Sequence, residues 1–227
     1  MIVRELDDYP HFYGARLYLA EELAQQGITD KNVLEAIKNV PRHFFVPVSY
    51  LKHSYKNRPL PIDAEQTISQ PYTVAFQTQL LAVRQGDKIL EIGTGSGYQA
   101  AILAYMGAEV YTIERHKSLY SQTSELLANE KFKAFFDKPL DIRTFFGDGY
   151  LGLSDYAPFD KIIITAAIQT IPDTLINQLK EGGYLVAPVG PADQSQKMTR
   201  YTKKGNTLHQ EEFGYFVFVP MLKGTNG

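Results

Sequence analysis

Apolar positions in the first part of the chain recur with a helical period and then lose it. In "RLYLAEELAQQG" Leu17, Leu19, Ala20, Leu23 and Ala24 favour one face, and Gly27 is placed to stop the helix. "TDKNVLEAIKNVP" predicts a second helix, with Asp30 as its N-cap and Pro41 ending it. "PRHFFVP" reads as a short apolar anchor between prolines, and His43 within it as a half-buried, satisfied side chain without a chemical role. The next stretch, "RPLPIDAEQTISQPYTVA" from Arg58 to Ala75, shows neither a helical nor a strand period until Pro71. Taken by themselves, Thr67 and Ser69 are a capping pair.

From Pro71 the pattern changes. "QPYTVAFQTQLLAV" predicts a helix with proline near its start and Val74, Leu80 and Leu81 on one face. Strands are then expected at Lys88–Ile92, Val110–Ile113, Ile142–Phe146, Lys161–Thr165 and Tyr184–Pro188, with helices near Tyr98–Met106, Lys117–Glu130 and Thr174–Leu179. Short apolar runs such as "KIIIT" and "YLVAP", separated by helices, imply a parallel sheet covered on both faces. "KMTRYTKKGNTLHQEEFGYFVFVP" is two strand-like runs around Gly205-Asn206, an antiparallel hairpin finishing the sheet with Lys203 and Lys204 at a solvated tip. The chain is therefore expected to form one α/β domain over residues 1–227. Residues 1–70 would be a helical extension, and residues 71–227 a Rossmann-like core.

Composition narrows the setting without identifying it. The 227 residues are 44% hydrophobic and 21% charged with a formal net charge of −2, so no overall basic character suggests a nucleic-acid or membrane-surface binder. There is no cysteine, which excludes disulfides, thiolate catalysis and Cys-ligated zinc. No basic-then-apolar leader and no long apolar run is seen, and a cytoplasmic location is expected.

The candidate chemistry lies after the first core strand, where Gly93, Gly95 and Gly97 separate "KILEI" from "YQAAILAYM". Such glycines let backbone approach a ligand at a helix N-terminus. The dinucleotide spacing G-x-G-x-x-G fails, because the sixth place from Gly93 is Tyr98 and from Gly95 it is Ala100. The phosphate-loop motif fails too, for want of Gly-Lys-Ser/Thr. What remains is E-x-G-x-G-x-G. Glu91 would repel a pyrophosphate but suits a ligand with an ammonium group. Glu114 closes the next strand, where an acid accepts hydrogen bonds from ribose hydroxyls. Asp148 in "GDG" follows the third strand and could meet a purine amino group. Three such elements after successive strands point to S-adenosyl-L-methionine, with no metal.

At these residues the chain resembles the protein-L-isoaspartate O-methyltransferase family along nearly its whole length. The matching stretches are "NVLEAIKNVPRHFFVP", "RPLPI…QTISQPY", "LEIGTGSGYQAA", "GDGYLG", "APFDKIIITAA", "LKEGGYLVAPVGP" and "FVFVPM". The glycine loop is common to Rossmann-type class I methyltransferases; "QTISQP" is the specific signature. The resemblance implies methyl transfer to the free carboxylate of isoaspartyl residues in proteins and peptides, giving an ester that collapses to a succinimide. It makes Arg58–Ala75 a lid over the cofactor site, with Ser69 beside the transferred methyl as the candidate catalytic residue. Proline-rich stiffness lowers the entropy of holding such a lid in place. The candidate cofactor-binding set is Thr67, Ile68, Ser69, Glu91, Gly93, Thr94, Gly95, Gly97, Glu114, Arg115, Asp148 and Gly149. The expected partners are isoaspartyl proteins and peptides, not nucleic acid or membrane, and the expected state is a monomer.

The chemistry asks little of the protein. A free carboxylate has a pKa of about 4 and needs no general base to attack a sulfonium methyl. Alignment can contribute about 7–11 kcal/mol in favourable cases. Ser69 would orient the carboxylate rather than act as a nucleophile. One departure from the family stands out: Asp63-Ala64-Glu65 occupies the place where glycine commonly follows "PLPI", and both acids are expected to face solvent. A nucleic-acid methyltransferase would show a basic surface or an Asn/Asp-Pro-Pro-aromatic motif, where this chain has "APFD". A small-molecule methyltransferase would have no reason to carry "QTIS". A non-catalytic cofactor-binding module is hinted at only by the substitutions around Asp63.

Overall fold

In the computed structural model, which describes residues 5–205 and 207–227, the first helix, α1 (Pro10–Gln25), begins well before the run that predicts it. Proline suits the first helical position because the N–H it lacks would have no partner there. Gly27 ends the helix at φ +101°. Asp30 accepts hydrogen bonds from the backbone N–H groups of Asn32 (2.9 Å) and Val33 (3.3 Å) and so caps α2 (Lys31–Asn39). The tight turn Arg42–Phe45 then drives Phe44 and Phe45 into an apolar cluster with Leu23, Ile37, Tyr98 and Ile102, which packs the N-terminal helices onto the core. His43 is fully buried rather than half-buried. Its Nδ1 lies 2.6 Å from the Tyr55 hydroxyl and its Nε2 3.2 Å from the Asp7 carbonyl, and burial pushes its pKa down to about 4, so the ring stays neutral.

The segment without a period forms a small hairpin of β1 (Leu60–Pro61) and β2 (Thr67–Ile68), followed by α3 (Pro71–Leu81). At its turn Gln66 N donates to the Asp63 carbonyl (3.1 Å), and Ala64 and Glu65 between them have φ of 55° and 57°. This is the geometry that Asn-Gly adopts readily and that costs an ordinary residue about 1–2 kcal/mol. The double change Ala64→Asn with Glu65→Gly is therefore expected to stabilise the protein by about 1–2 kcal/mol. It should appear as a higher urea midpoint with an unchanged slope. Glu65 is exposed, as expected, but Asp63 is not simply solvated. It accepts from the Ala64 N–H (2.8 Å) and from Gln122 Nε2 (2.7 Å), and these two bonds hold its pKa below the usual value.

The core is a sheet with helices on both faces. In chain order it comprises β3 (Lys88–Ile92), α4 (Tyr98–Tyr105), β4 (Glu109–Glu114), α5 (Lys117–Ala128), α6 (Glu130–Ala134), β5 (Ile142–Phe146), β6 (Phe159–Ile164), α7 (Asp173–Gln178), β7 (Leu179–Val189), β8 (Gln196–Lys204) and β9 (Thr207–Phe216). The seven strands lie in the order β5-β4-β3-β6-β7-β8-β9, parallel from β5 to β7 and antiparallel thereafter. This is the expected class I methyltransferase-like architecture. β3 sits at the centre, where burial on both faces explains why "ILEI" is nearly all apolar. Ile89 packs in the cluster with Leu103, whereas Leu90 and Ile92 pack with Leu175 on the other face. Strand alternation therefore turns Glu91 to the Ile89 side.

Two local expectations change. The helix expected over Lys117–Glu130 stops at Ala128, because Asn129 adopts an extended conformation and its side chain accepts from the N–H groups of Lys131 (2.9 Å) and Phe132 (3.3 Å), starting α6. Lys203 is no solvated tip residue. Its Nζ donates to the carbonyls of Ile176 (2.8 Å) and Leu179 (2.7 Å), satisfying oxygens at the end of α7. Of the expected turn pair, Gly205 has φ +56° and Asn206 lies outside the described residues. Among the described residues no helix is long and apolar enough to cross a membrane.

Candidate active site

The C-terminal ends of β3, β4 and β6 open into one cavity, the usual place for a ligand in an α/β sheet. Its floor is the glycine loop. Gly93 N donates to the Ile113 carbonyl (2.9 Å), and the Thr94 hydroxyl meets that of Thr112 at 2.7 Å, so the loop is pinned to β4. A Cβ on Gly93, at φ +96°, would lie 2.5 Å from Thr165 Oγ1, which itself donates to the carbonyls of Ile92 and Gly93. A Cβ on Gly95 would meet only Ile62 Cδ1, at 3.7 Å. The two glycines thus have different jobs: Gly93 lets β6 approach, and Gly95 leaves room at the cavity wall. Gly93→Ala is expected to lower stability by about 2–4 kcal/mol through overpacking at a strained φ. Gly95, at φ +51°, strains any side chain too but has open space, so Gly95→Ala should lose less stability, about 1–2 kcal/mol, and more ligand affinity. Calorimetry beside thermal unfolding separates them, and equal ligand loss in both variants would contradict the assignment.

Two acids line the cavity in contrasting states. Glu114 is nearly buried, with Oε2 accepting from Gly95 N (2.9 Å) and Oε1 from His116 N (2.9 Å). Each carboxylate oxygen retains a lone pair for a hydroxyl. Glu91 has no exposed surface, and neither of its oxygens makes a hydrogen bond of ordinary geometry among the described residues, although the Thr112 hydroxyl beside it partly offsets the burial. Burial pushes its pKa up to about 8. Gln99 donates through Nε2 to Thr78 Oγ1 (2.9 Å), while its Oε1 is also buried and unpartnered. Two carboxylate oxygens and one amide oxygen therefore lack donors around this cavity, beside an unpartnered Tyr98 hydroxyl, and an ammonium would bring N–H donors to them. This donor deficit fits the amino-acid end of S-adenosyl-L-methionine and would not fit a phosphate.

Thr67, Ile68, Ser69, Glu91, Gly93, Thr94, Gly95, Glu114, Arg115 and Gly149 all line the cavity. Thr67 is exposed at its rim, Ile68 is buried opposite Leu60, and Ser69 is half-buried between β2 and α3. Gly97 and Asp148 are not in the wall. Gly97 is the N-cap of α4, and a Cβ there would lie 2.8 Å from Thr123 Cγ2 on α5, so its lack of a side chain lets α5 pack closely. Asp148 accepts from Tyr150 N (2.9 Å) and Gly224 N (2.7 Å), so its carboxylate fastens the C-terminal tail beside the cavity.

Sequence reasoning missed Gln99, His116, Thr165 and the tail Val219–Leu222, all of which line the cavity. Gln99 left a signal, being the only strongly polar side chain in "YQAAILAY". The tail left none. It reaches the site because Ala167 exchanges backbone hydrogen bonds with Val219 and Met221, both 2.8 Å.

Comparison with known proteins agrees with this geometry. Residues 16–226 match the family described as Protein-L-isoaspartate(D-aspartate) O-methyltransferase. The chain is 51% identical over 222 residues to a protein-L-isoaspartate O-methyltransferase of Flavobacterium psychrophilum, covering 97% of this chain and 100% of that one. A Flavobacterium johnsoniae protein of the same name is 49% identical with the same coverage, 97% and 100%. A solved protein-L-isoaspartate O-methyltransferase superposes with a TM-score of 0.79 at 26% identity, over 90% of this chain and 65% of that one. A Plasmodium falciparum structure of that kind, in complex with S-adenosyl-L-homocysteine, gives a TM-score of 0.77 at 24% identity, over 92% and 98%, a likeness of fold.

Proposed function

Because the chain belongs to the protein-L-isoaspartate(D-aspartate) O-methyltransferase family, we propose that this cavity is where it methylates the free carboxylate of L-isoaspartyl residues in damaged proteins and peptides. The observation that carries the site assignment is the set of unpartnered acceptors on Glu91 and Gln99, in the same cavity wall as Ser69. S-adenosyl-L-methionine supplies the electrophilic methyl group when bound. Glu91 and Gln99 seat its ammonium, Glu114 accepts from the ribose hydroxyls, and the glycine loop admits the chain between them.

Ser69 receives the acceptor carboxylate. The carboxylate is ionised at neutral pH, so no residue has to remove a proton, and Ser69 has only to donate a hydrogen bond that aims one oxygen at the methyl. The product is a methyl ester. Attack on its carbonyl by the next backbone nitrogen releases methanol and closes the succinimide, from which aspartate can form. In this reading residues 1–227 act as one domain, as a cytoplasmic monomer whose substrates are proteins rather than nucleic acid.

The test is methyl transfer from labelled cofactor to an isoaspartyl peptide and to its aspartyl twin. Label is expected in the first alone and should be released at mildly alkaline pH. Base-stable label in RNA would overturn the proposal.

A further inference from the structure

Arg42 is one of two fully buried arginines among the described residues, and the two are treated differently. Arg16 is satisfied: its guanidinium pairs with Asp8 (Nη2–Oδ2, 2.7 Å) and its Nε donates to the Lys38 carbonyl at 2.7 Å. Arg42 has no exposed surface and forms no ion pair among the described residues. Its single hydrogen bond runs from Nη2 to the backbone carbonyl of Ser69 (2.8 Å), and Nε and Nη1 have no partner. Its guanidinium lies 5.0 Å from the centre of the Tyr98 ring, and Tyr98 and Ser69 both line the active-site cavity. Arg42 itself is not in that wall. It sits one side chain behind it, held there by the buried Phe44 and Phe45 of its own turn.

A buried cation with unpaired donors is a poor way to stabilise a fold, and an apolar side chain of similar length is commonly neutral or better. Burial lowers the pKa of Arg42 only to about 10, so it stays charged at neutral pH. The cavity it backs already contains two acids, Glu91 and Glu114, yet the proposed acceptor is an anion.

We propose that Arg42 is a positioning residue for methyl transfer, fixing the Ser69 segment from behind the cavity wall and offsetting the negative site for the acceptor carboxylate. This rests on the isoaspartyl reading above. It also gives "PRHFFVP" a task beyond apolar anchoring.

The experiment uses the full chain, with Arg42→Met and Arg42→Lys beside the wild type. Thermal midpoint, S-adenosylhomocysteine affinity, kcat and KM for an isoaspartyl peptide, and amide exchange of the segment around Ser69 are measured. Arg42→Met is expected to keep or raise the midpoint and to hold cofactor affinity within about twofold. It should lose about ten- to a hundredfold in kcat/KM, the size of one hydrogen bond to a charged group. Exchange around Ser69 should quicken, and Arg42→Lys should recover part of the lost kcat/KM.

An Arg42→Met protein that is unfolded, or whose midpoint falls in step with its activity, would make the arginine merely structural and overturn the proposal. So would unchanged kcat/KM. If the wild type itself fails to methylate the peptide, the isoaspartyl reading falls instead, and exchange around Ser69 still decides whether Arg42 fixes the segment.

Discussion

Glu91→Gln is expected to make the ligand-free protein more stable and its binding of S-adenosylhomocysteine about ten- to a hundredfold weaker. The carboxyl is buried without partners, and its pKa rises from 4.5 to about 8 in the folded chain. A group whose folded pKa is raised binds its proton more tightly in the native state. For an acid, the penalty of burial is therefore absent below the unfolded value and grows as pH climbs towards the folded one. The gain from glutamine should be small near pH 5 and largest near pH 9, where it reaches on the order of 2–4 kcal/mol. Ligand affinity should behave in the opposite sense. The ammonium favours ionised Glu91, so wild-type affinity should rise with pH up to about 8. That of the variant should stay flat over the same range. Thermal midpoints and calorimetry from pH 5 to pH 9 measure both, and identical pH profiles for the two proteins would remove Glu91 from the ligand site.

Ser69→Ala should lower turnover by about ten- to a hundredfold and leave cofactor affinity nearly unchanged. Ser69 is half-buried in the cavity wall, and its backbone is held from behind by Arg42 at 2.8 Å. A nucleophilic serine would demand near-total loss and a covalent intermediate, and among the described residues no histidine hydrogen-bonds to Ser69. Glu65→Gln is the companion control. Glu65 is exposed at the hairpin turn, so its replacement should leave turnover unchanged and at most tighten peptide binding, with the gain fading at high salt. Full activity in Ser69→Ala would return "QTIS" to the status of a structural turn.

Local physics made much of this protein readable from its residues. Asp30 caps a helix and Gly27 ends one because capping depends on atoms within a few residues. The run "KILEI" reports burial on both faces because strand periodicity is itself a record of burial. The order of Glu91, the glycines and Glu114 could be read because each follows a strand whose end must face the ligand.

Tertiary structure decided which polar atoms are left over, and this no local pattern could show. Asp148 carries a second task that its turn did not reveal, because the tail returns to it and Gly224, 76 positions away, donates to one of its oxygens. Lys203 looked solvated until α7 presented its carbonyls. Arg42 looked like part of an apolar anchor until Ser69, 27 positions on, proved to be its one hydrogen-bond partner among the described residues. A side chain's type states which hydrogen bonds it can make, but the number already satisfied depends on which distant segments fold against it. The chain's own sequence therefore fixes the strand-end chemistry, while the closure of distant segments selects the atoms that remain free to act.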